Sequence, residues 1–209
     1  MPKIKYFIQQ SWLLIVASFF FGLLIAVADA ALSEKIEQNR INKLNRLTRA
    51  LLPQAENFVA LDTEIEIDSI QGKKEKVKVY KALSGDECVG WSFNAAGSGF
   101  ADKIELVVAV DKNFQKIAGF EVLASNETPG FGDQIKYNYF RDQFKGAPAE
   151  ELALVKVGEG APTKIDSQIV AITGATVSSE AVVEIMNNSV IQIKSQMQKK
   201  GLIGNVSAQ

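Results

Sequence analysis

Residues 173–179 read Thr-Gly-Ala-Thr-Val-Ser-Ser, a run of small and hydroxylated side chains between two apolar segments. The segment before it, residues 169–172, reads Ile-Val-Ala-Ile, which is typical of a strand. The segment after it, from Glu180 to about Gln198, carries apolar residues at helical spacing. The stretch therefore predicts a tight turn that leads from a strand into a long helix.

The side chains of this turn indicate a place where an anion could bind. Ser178 or Ser179 is expected to cap the helix by accepting hydrogen bonds from its first N–H groups. Thr176 is expected just outside the helix start. Gly174 and Ala175 would let an anion approach the backbone closely, where the helix dipole favours negative charge. Without further support, the same residues indicate only an ordinary capped helix.

A second distinctive stretch lies at residues 125–133, Ser-Asn-Glu-Thr-Pro-Gly-Phe-Gly-Asp. Pro129 followed by Gly130 marks a tight turn, and Gly132 permits a close approach of backbone. In isolation this stretch predicts a surface loop.

Together the two stretches resemble the FMN-binding domain of the RnfG and NqrC subunits of membrane redox complexes. Residues 173–179 match the attachment motif Ser/Thr-Gly-Ala-Thr-x-Ser/Thr, and residues 127–132 match the second signature. In that family, a dedicated flavin transferase links FMN to the second threonine through a phosphoester bond, which by resemblance is Thr176. The resemblance implies that the other flavin-binding residues are Thr173, Gly174, Ala175, Val177, Ser178, Ser179, Glu127, Thr128, Pro129, Gly130, Phe131 and Gly132.

One position departs from the family pattern. The motif often begins with an acidic residue six positions before the modified threonine, where this chain has Val170. The nearest upstream carboxylate is Asp166, so recognition by the transferase is an open question. The resemblance also leaves open whether Trp91 or the 97–100 loop borders the flavin.

Composition excludes several kinds of site. The 209 residues carry a formal net charge of −1, so nothing indicates binding to nucleic acid. The chain has no histidine and one cysteine, Cys88, which is predicted to be a buried strand residue. This chain alone therefore cannot supply a Cys/His zinc site or a cysteine-held iron–sulfur cluster. Any redox group must be an organic cofactor.

The N-terminal residues 1–32 predict a membrane anchor. Residues 12–28 are apolar and uncharged, and with their flanks they are long enough to span a bilayer, with Trp12 as an interface anchor. The alternative is a signal peptide cut after Ala30. Lys3 and Lys5 favour a cytoplasmic N-terminus, although five basic residues between 35 and 49 oppose it. The resemblance implies a single-pass inner-membrane protein with its flavin domain on the periplasmic or extracytoplasmic side.

The remaining chain predicts a helical stalk at 33–55, a domain at 56–200 and a flexible tail at 201–209. Alternating or apolar runs predict strands at 63–67, 76–80, 89–93, 104–110, 116–122 and 152–157. A glycine loop is expected at 95–100. Helices are predicted at 136–144, with Tyr137, Phe140 and Phe144 on one face, and after the attachment turn, with Val182, Val183, Met186, Val190, Ile193 and Met197 buried. The fold class is α+β with a mostly antiparallel sheet.

The resemblance implies an electron-transfer subunit of an Rnf-type ion-translocating ferredoxin:NAD oxidoreductase, with covalent FMN as a relay. Its partners would be the other subunits of the complex, the flavin transferase and the membrane. Two alternatives stay open: the corresponding NqrC-like subunit of a Na⁺-translocating NADH:quinone oxidoreductase, and a non-redox anchored binding module.

Overall fold

A long N-terminal helix and an antiparallel sheet dominate the computed structural model, which describes residues 2–70 and 72–204, with side chains from Ser11 onward. Within these residues the helices are α1 (Pro2–Leu51), α2 (Asn138–Arg141) and α3 (Thr176–Lys199). The strands are β1 (Asn57–Ala60), β2 (Ile65–Asp68), β3 (Lys74–Val77), β4 (Val79–Ser84), β5 (Glu87–Ser98), β6 (Lys103–Asp111), β7 (Ile117–Ala124), β8 (Ala153–Val155) and β9 (Gln168–Val170).

Helix α1 is continuous, because no proline or glycine pair interrupts its residues between Lys3 and Leu51. From Ser11 it is long and apolar enough to cross a membrane, with a mean hydropathy of 2.4 in its most apolar window and none of that window buried. The chain consists of two compact units whose boundary falls within this helix. The first unit ends at Lys43, and the second begins at Leu44. Trp12 is exposed, as an interface anchor requires.

The second unit is built on a five-stranded sheet in the order β1-β4-β5-β6-β7, with every neighbouring pair antiparallel. β2 and β3 form a separate antiparallel hairpin, and β8 and β9 form a parallel pair. The predicted α+β class with a mostly antiparallel sheet is confirmed.

Both faces of the sheet are covered. On one face, α3 packs its predicted apolar stripe into the main core, which also holds Phe93, Phe120, Phe140 and Phe144. On the other face, Leu52 packs against Ala82 and Ala109. Sheet glycines create room there, since a Cβ on Gly90 would lie 3.1 Å from Leu52. The double cover explains why β6 and β7 are nearly continuously apolar.

The β2–β3 hairpin is attached to α3 through side-chain amides. Gln192 Oε1 accepts a 2.8 Å hydrogen bond from the N–H of Asp68, and Gln192 Nε2 donates to the Asp68 carbonyl at 2.9 Å. Gln196 forms the same kind of pair with the backbone of Glu66. An early hairpin and the last helix therefore depend on each other.

Several predicted elements are wrong. The helix expected at 136–144 is helical only from Asn138, as the short α2 and a following 3₁₀ turn, because the extended backbone of Tyr137 (ψ 147°) separates it from a 3₁₀ turn that ends at Lys136. Tyr137 is consequently exposed, while Phe140 and Phe144 are buried. The glycine loop expected from residue 95 is instead the end of β5 as far as Ser98. Cys88 lies near the start of β5 and is half-buried.

The expected flexible tail is ordered at its start. Gly201 has a φ of +68°, and the Leu202 N–H donates to the Met197 carbonyl at 2.9 Å, which is a glycine-terminated helix end. Ile203 then packs into the core with 6% exposure. Residues 205–209 of the predicted tail lie outside the described residues.

Candidate functional site

The attachment turn connects β9 to α3, as the sequence predicts. Gly174 has a φ of +77°, a conformation that a glycine adopts without strain. Ala175 occupies the N-cap position of α3 without a capping side chain, and Thr176 is the first residue of the helix. Thr176 was expected just outside the helix, so its position differs by one residue. Its side chain is exposed and can be reached by a modifying enzyme.

Neither serine of the motif caps the helix, which corrects the sequence prediction. Ser179 is buried; its Oγ accepts from the Ile172 N–H at 3.0 Å and donates to the Ala175 carbonyl at 2.9 Å. Ser178 Oγ donates to Glu127 Oε2 at 2.5 Å. Both serines lie past the capping position, on the buried face of the first helical turn, so their hydroxyls point into the protein. Since Ala175 has no acceptor side chain, the first N–H groups of α3 have no side-chain cap and remain suited to an anion.

The second loop folds as a tight turn beside this helix start. The Thr128 carbonyl accepts from the N–H groups of Phe131 and Asp133 at 3.1 and 3.3 Å, and Gly130 has a φ of +77°. Gly132 is buried, whereas Phe131 is 56% exposed. The Phe131 ring lies beside Gly174, where an added Cβ would be only 3.4 Å from the ring. The two motifs are therefore in contact.

A cleft of about 450 Å³ opens between the two motifs. This volume lies in the range of small-molecule sites. Its walls include the exposed apolar side chains of Phe100, Phe131 and Val177. The remaining lining residues are Thr128, Gly132, Gly174, Ala175, Thr176 and Ser178.

Other predicted site residues lie around the cleft and do not line it. Thr173 instead borders a neighbouring cavity of about 310 Å³, Ser179 is buried beneath the turn, and Pro129 and Gly130 are exposed on the second loop. Glu127 is 4% exposed and reaches the site through Ser178.

The structure places the glycine loop and Trp91 differently with respect to the cleft. Phe100 lines the cleft with 66% of its side chain exposed. Trp91 is 4% exposed, and its indole N–H donates to the Lys112 carbonyl in the hairpin between β6 and β7. The sequence feature that could have indicated Phe100 as a cleft residue is its position as an aromatic residue in a glycine-rich segment.

Val170 occupies a position that suits its apolar side chain. It ends β9 and is 5% exposed, and its backbone is bonded by the side chain of Gln143. No local sequence pattern distinguishes Gln143 from a solvated glutamine. Asp166 lies on the surface, where its hydrogen bond with Lys164, helped by the Gln168 N–H, lowers the pKa of its carboxyl.

The residues around the cleft fit a bound FMN. Exposed aromatic and aliphatic side chains offer apolar surface to a planar ring system, and positive-φ glycines keep side chains away from the turn. An uncapped helix start suits a phosphate, and an exposed hydroxyl lies at that same point.

The comparisons with known proteins agree with this geometry. Residues 99–191 match the family model described as FMN-binding domain. These residues contain both motifs, the cleft and most of α3. The fold and the site thus define a protein with an FMN-binding domain.

The relatives narrow this class. The G subunit of the proton-translocating ferredoxin:NAD(+) oxidoreductase complex of Clostridium ljungdahlii is 31% identical over 86% of this chain and 88% of its own. The G subunit of the ion-translocating oxidoreductase complex of Methanosarcina acetivorans is 28% identical over 88% of this chain and 92% of its own. The chain belongs to the family of these complex G subunits, the Rnf type.

A solved structure supports the fold. The crystal structure of Shewanella oneidensis NqrC superimposes with a TM-score of 0.55 at 22% sequence identity, covering 70% of this chain and 72% of that chain. At this identity the similarity concerns the fold.

Proposed function

We propose that the chain is a membrane-anchored electron-transfer subunit of an Rnf-type ion-translocating ferredoxin:NAD oxidoreductase, with FMN held by a phosphoester bond to Thr176. The observation that carries this proposal is the exposed Thr176 at the uncapped start of α3, beside an apolar cleft. Most of the chain aligns with G subunits of such complexes, which supports this reading over the NqrC-like alternative.

The residues of the cleft have separate tasks. Thr176 supplies the oxygen of the covalent bond, and the first N–H groups of α3 offset the phosphate charge. Phe100, Phe131 and Val177 supply apolar walls that exclude water from one side of the site. FMN, when bound, supplies the electron-transfer chemistry, while the protein sets its orientation and surroundings. A covalent bond prevents loss of the cofactor to the surrounding solution.

The apolar part of α1 anchors the protein in the inner, cytoplasmic membrane as a single span, with the flavin domain on the extracytoplasmic side. The length and hydropathy of the helix from Ser11 support the span. The side of the membrane rests on the family resemblance and on Lys3 and Lys5 at the N-terminus. Other subunits of the complex and a flavin transferase are the partners.

The test is co-expression of the full chain with a flavin transferase, followed by denaturing electrophoresis and detection of flavin fluorescence on the band. Thr176→Ala removes the proposed attachment oxygen. Thr163→Ala is the matched control, since it removes an exposed threonine of the preceding loop, outside the attachment motif. We expect fluorescence in the wild type and in Thr163→Ala, and a dark band for Thr176→Ala.

The other outcomes each exclude part of the proposal. A dark wild-type band, with a known substrate of the transferase labelled in the same cells, favours a non-redox anchored module. Fluorescence in Thr176→Ala moves the bond to another residue. Co-purification with neighbouring subunits then separates the Rnf-type complex from the NADH:quinone oxidoreductase, because the attachment motif is common to both.

A further inference from the structure

The carboxylate of Glu127 is buried between three chain segments that border the cleft. Its Oε1 accepts a 3.1 Å hydrogen bond from the Ala101 N–H, next to Phe100. Its Oε2 accepts the 2.5 Å hydrogen bond from Ser178 Oγ, two residues after Thr176. Glu127 itself begins the loop that carries Phe131. One side chain therefore connects both aromatic walls to the first turn of α3.

Two glycines leave the space that this carboxylate occupies. A Cβ on Gly132 would lie 2.5 Å from Glu127 Oε2 and 2.5 Å from Ser178 Oγ. A Cβ on Gly99 would overlap Glu127 Oε1 even more closely. Real Cβ atoms essentially never make such contacts, so any larger residue would displace the carboxylate or the hydroxyl. Gly132, the second glycine of the second motif, therefore leaves the space in which the hydrogen bond between Glu127 and Ser178 forms.

A further polar bond holds the same two loops together on the surface. Asn126 Nδ2 donates to Asp102 Oδ2 at 2.8 Å, and the Gly99 N–H donates to the Asp102 carbonyl at 2.8 Å. The Phe100 segment is thus fixed to the second motif at two places. The Glu127 carboxylate continues this connection to α3 through Ser178, whereas Asp102 bonds Asn126, Gly99 and its neighbour Lys103.

We propose that Glu127 is a positioning residue for flavin attachment, which sets the distance between the aromatic walls and Thr176 by joining the Phe100 segment, the Phe131 loop and the start of α3. The inference rests on the proposed function of Thr176. Glu127 acts through its two hydrogen bonds, because Ala101 and Ser178 are both donors to it. A glutamine can replace these bonds, as its carbonyl accepts from Ala101 and its amide donates to Ser178 Oγ.

The test measures the initial rate at which a purified flavin transferase, supplied with a flavin dinucleotide as donor, labels the full chain in detergent. In this step the Thr176 hydroxyl takes the FMN phosphoryl group, the phosphoanhydride bond of the donor breaks, and the nucleoside monophosphate leaves. It compares Glu127→Ala, Glu127→Gln and Ser178→Ala with the wild type. We expect Glu127→Ala to lower the rate at least about tenfold, because it removes the acceptor of two hydrogen bonds that are buried beside the cleft. Ser178→Ala is expected to fall between Glu127→Ala and the wild type, while Glu127→Gln stays within about threefold of the wild type.

A spectroscopic readout separates positioning from general stability. Visible-range circular dichroism of the attached flavin reports how the protein holds the ring, and melting temperature reports folding. Ser189→Ala is the matched control: it removes another buried serine hydroxyl of α3, bonded to the Ile185 carbonyl away from the cleft. We expect altered flavin dichroism in Glu127→Ala and Ser178→Ala, and an unchanged spectrum in Ser189→Ala.

Each failure has a distinct meaning. A wild type that is never labelled overturns the proposed function and leaves Glu127 without a flavin to position. A labelled wild type with the same rate and dichroism in folded Glu127→Ala overturns the positioning role alone. When Glu127→Ala does not fold, Ser178→Ala decides, and a wild-type rate and spectrum in that variant overturn the role. A Glu127→Gln variant as slow as Glu127→Ala overturns the hydrogen-bond explanation.

Discussion

The side-chain amide of Gln143 forms both backbone hydrogen bonds of Val170. Gln143 Oε1 accepts from the Val170 N–H at 2.8 Å, and Gln143 Nε2 donates to the Val170 carbonyl at 3.2 Å. Both residues are 5% exposed. The glutamine therefore takes the place of a neighbouring strand at the end of β9, three residues before the attachment turn.

Gln143→Ala is expected to destabilise the protein by about 2–4 kcal/mol, because a buried N–H and a buried carbonyl lose their partner. Chemical denaturation monitored by circular dichroism measures the loss. Gln115→Ala is the control, since the Gln115 side chain is exposed. Equal stability of Gln143→Ala and the wild type would show that water or a backbone shift replaces these bonds.

Val170→Asp restores the acidic residue that often begins the attachment motif, yet we expect it to destabilise the fold. The position is 5% exposed, and a carboxylate there costs about 2–4 kcal/mol without a hydrogen-bond donor. Thermal melting checks this, with Ile165→Asp as the control at a 64% exposed position of the preceding loop. Higher stability or faster flavin labelling of Val170→Asp would contradict the expectation.

Gly174→Ala and Gly130→Ala separate backbone strain from contact with the Phe131 ring. Both glycines have a φ of +77°, so each alanine costs about 1–2 kcal/mol. The Cβ added at Gly174 would lie 3.4 Å from the Phe131 ring, whereas the Cβ added at Gly130 would have no neighbour within 4 Å. We expect similar losses of stability, with flavin labelling slowed only in Gly174→Ala. Equal labelling of both variants would show that the Phe131 contact does not matter.

Leu52→Ala is expected to destabilise the second unit by about 2–5 kcal/mol, as is usual for a buried leucine. Leu52 is 1% exposed and packs against Ala82 and Ala109 on the sheet. Denaturant unfolding of the full chain in detergent measures the change. Ile36→Ala, at a 59% exposed position of α1, is the control. A loss no larger than that of the control would contradict the structural role of Leu52.

Asp102→Asn should have an effect that depends on pH. Hydrogen bonds from Asn126 and the Lys103 N–H lower the pKa of the Asp102 carboxyl below 3.8. The ionised carboxylate therefore stabilises the fold above the unfolded pKa, and this stabilisation is lost as the pH falls through the lower folded value. We expect Asp102→Asn to melt below the wild type at about pH 7, with the difference shrinking as the pH falls below 3.8. A difference that is constant with pH would contradict this.

The fold class and the turn into α3 followed from local patterns, whereas the pairing of the two motifs in one site followed from the family resemblance. Thr173–Ser179 predicted the turn and helix because glycine, hydroxyls and apolar spacing act within a few residues. Phe140 and Phe144 were correctly expected in the core, but Tyr137 was not separable from them by spacing alone. An extended Tyr137 backbone breaks the helix, and tertiary packing decides such breaks.

The parts that sequence missed depend on contacts between distant residues. Ser178 was expected to cap its own helix, but its hydroxyl bonds Glu127, 51 residues earlier in the chain. Gln143 bonds Val170 across 27 residues. No local pattern distinguishes such polar residues from solvated ones, because their partners are set by the way the elements pack.

The two hydrogen bonds between the Gln192 side chain and the Asp68 backbone join residues 124 positions apart. During synthesis on the ribosome, the β2–β3 hairpin emerges long before α3, so it cannot dock until α3 has been made. A chain that ends before Gln192 can therefore contain the Thr-Gly-Ala-Thr sequence without this docked hairpin. A transferase that recognises the folded turn would label only chains in which α3 has docked.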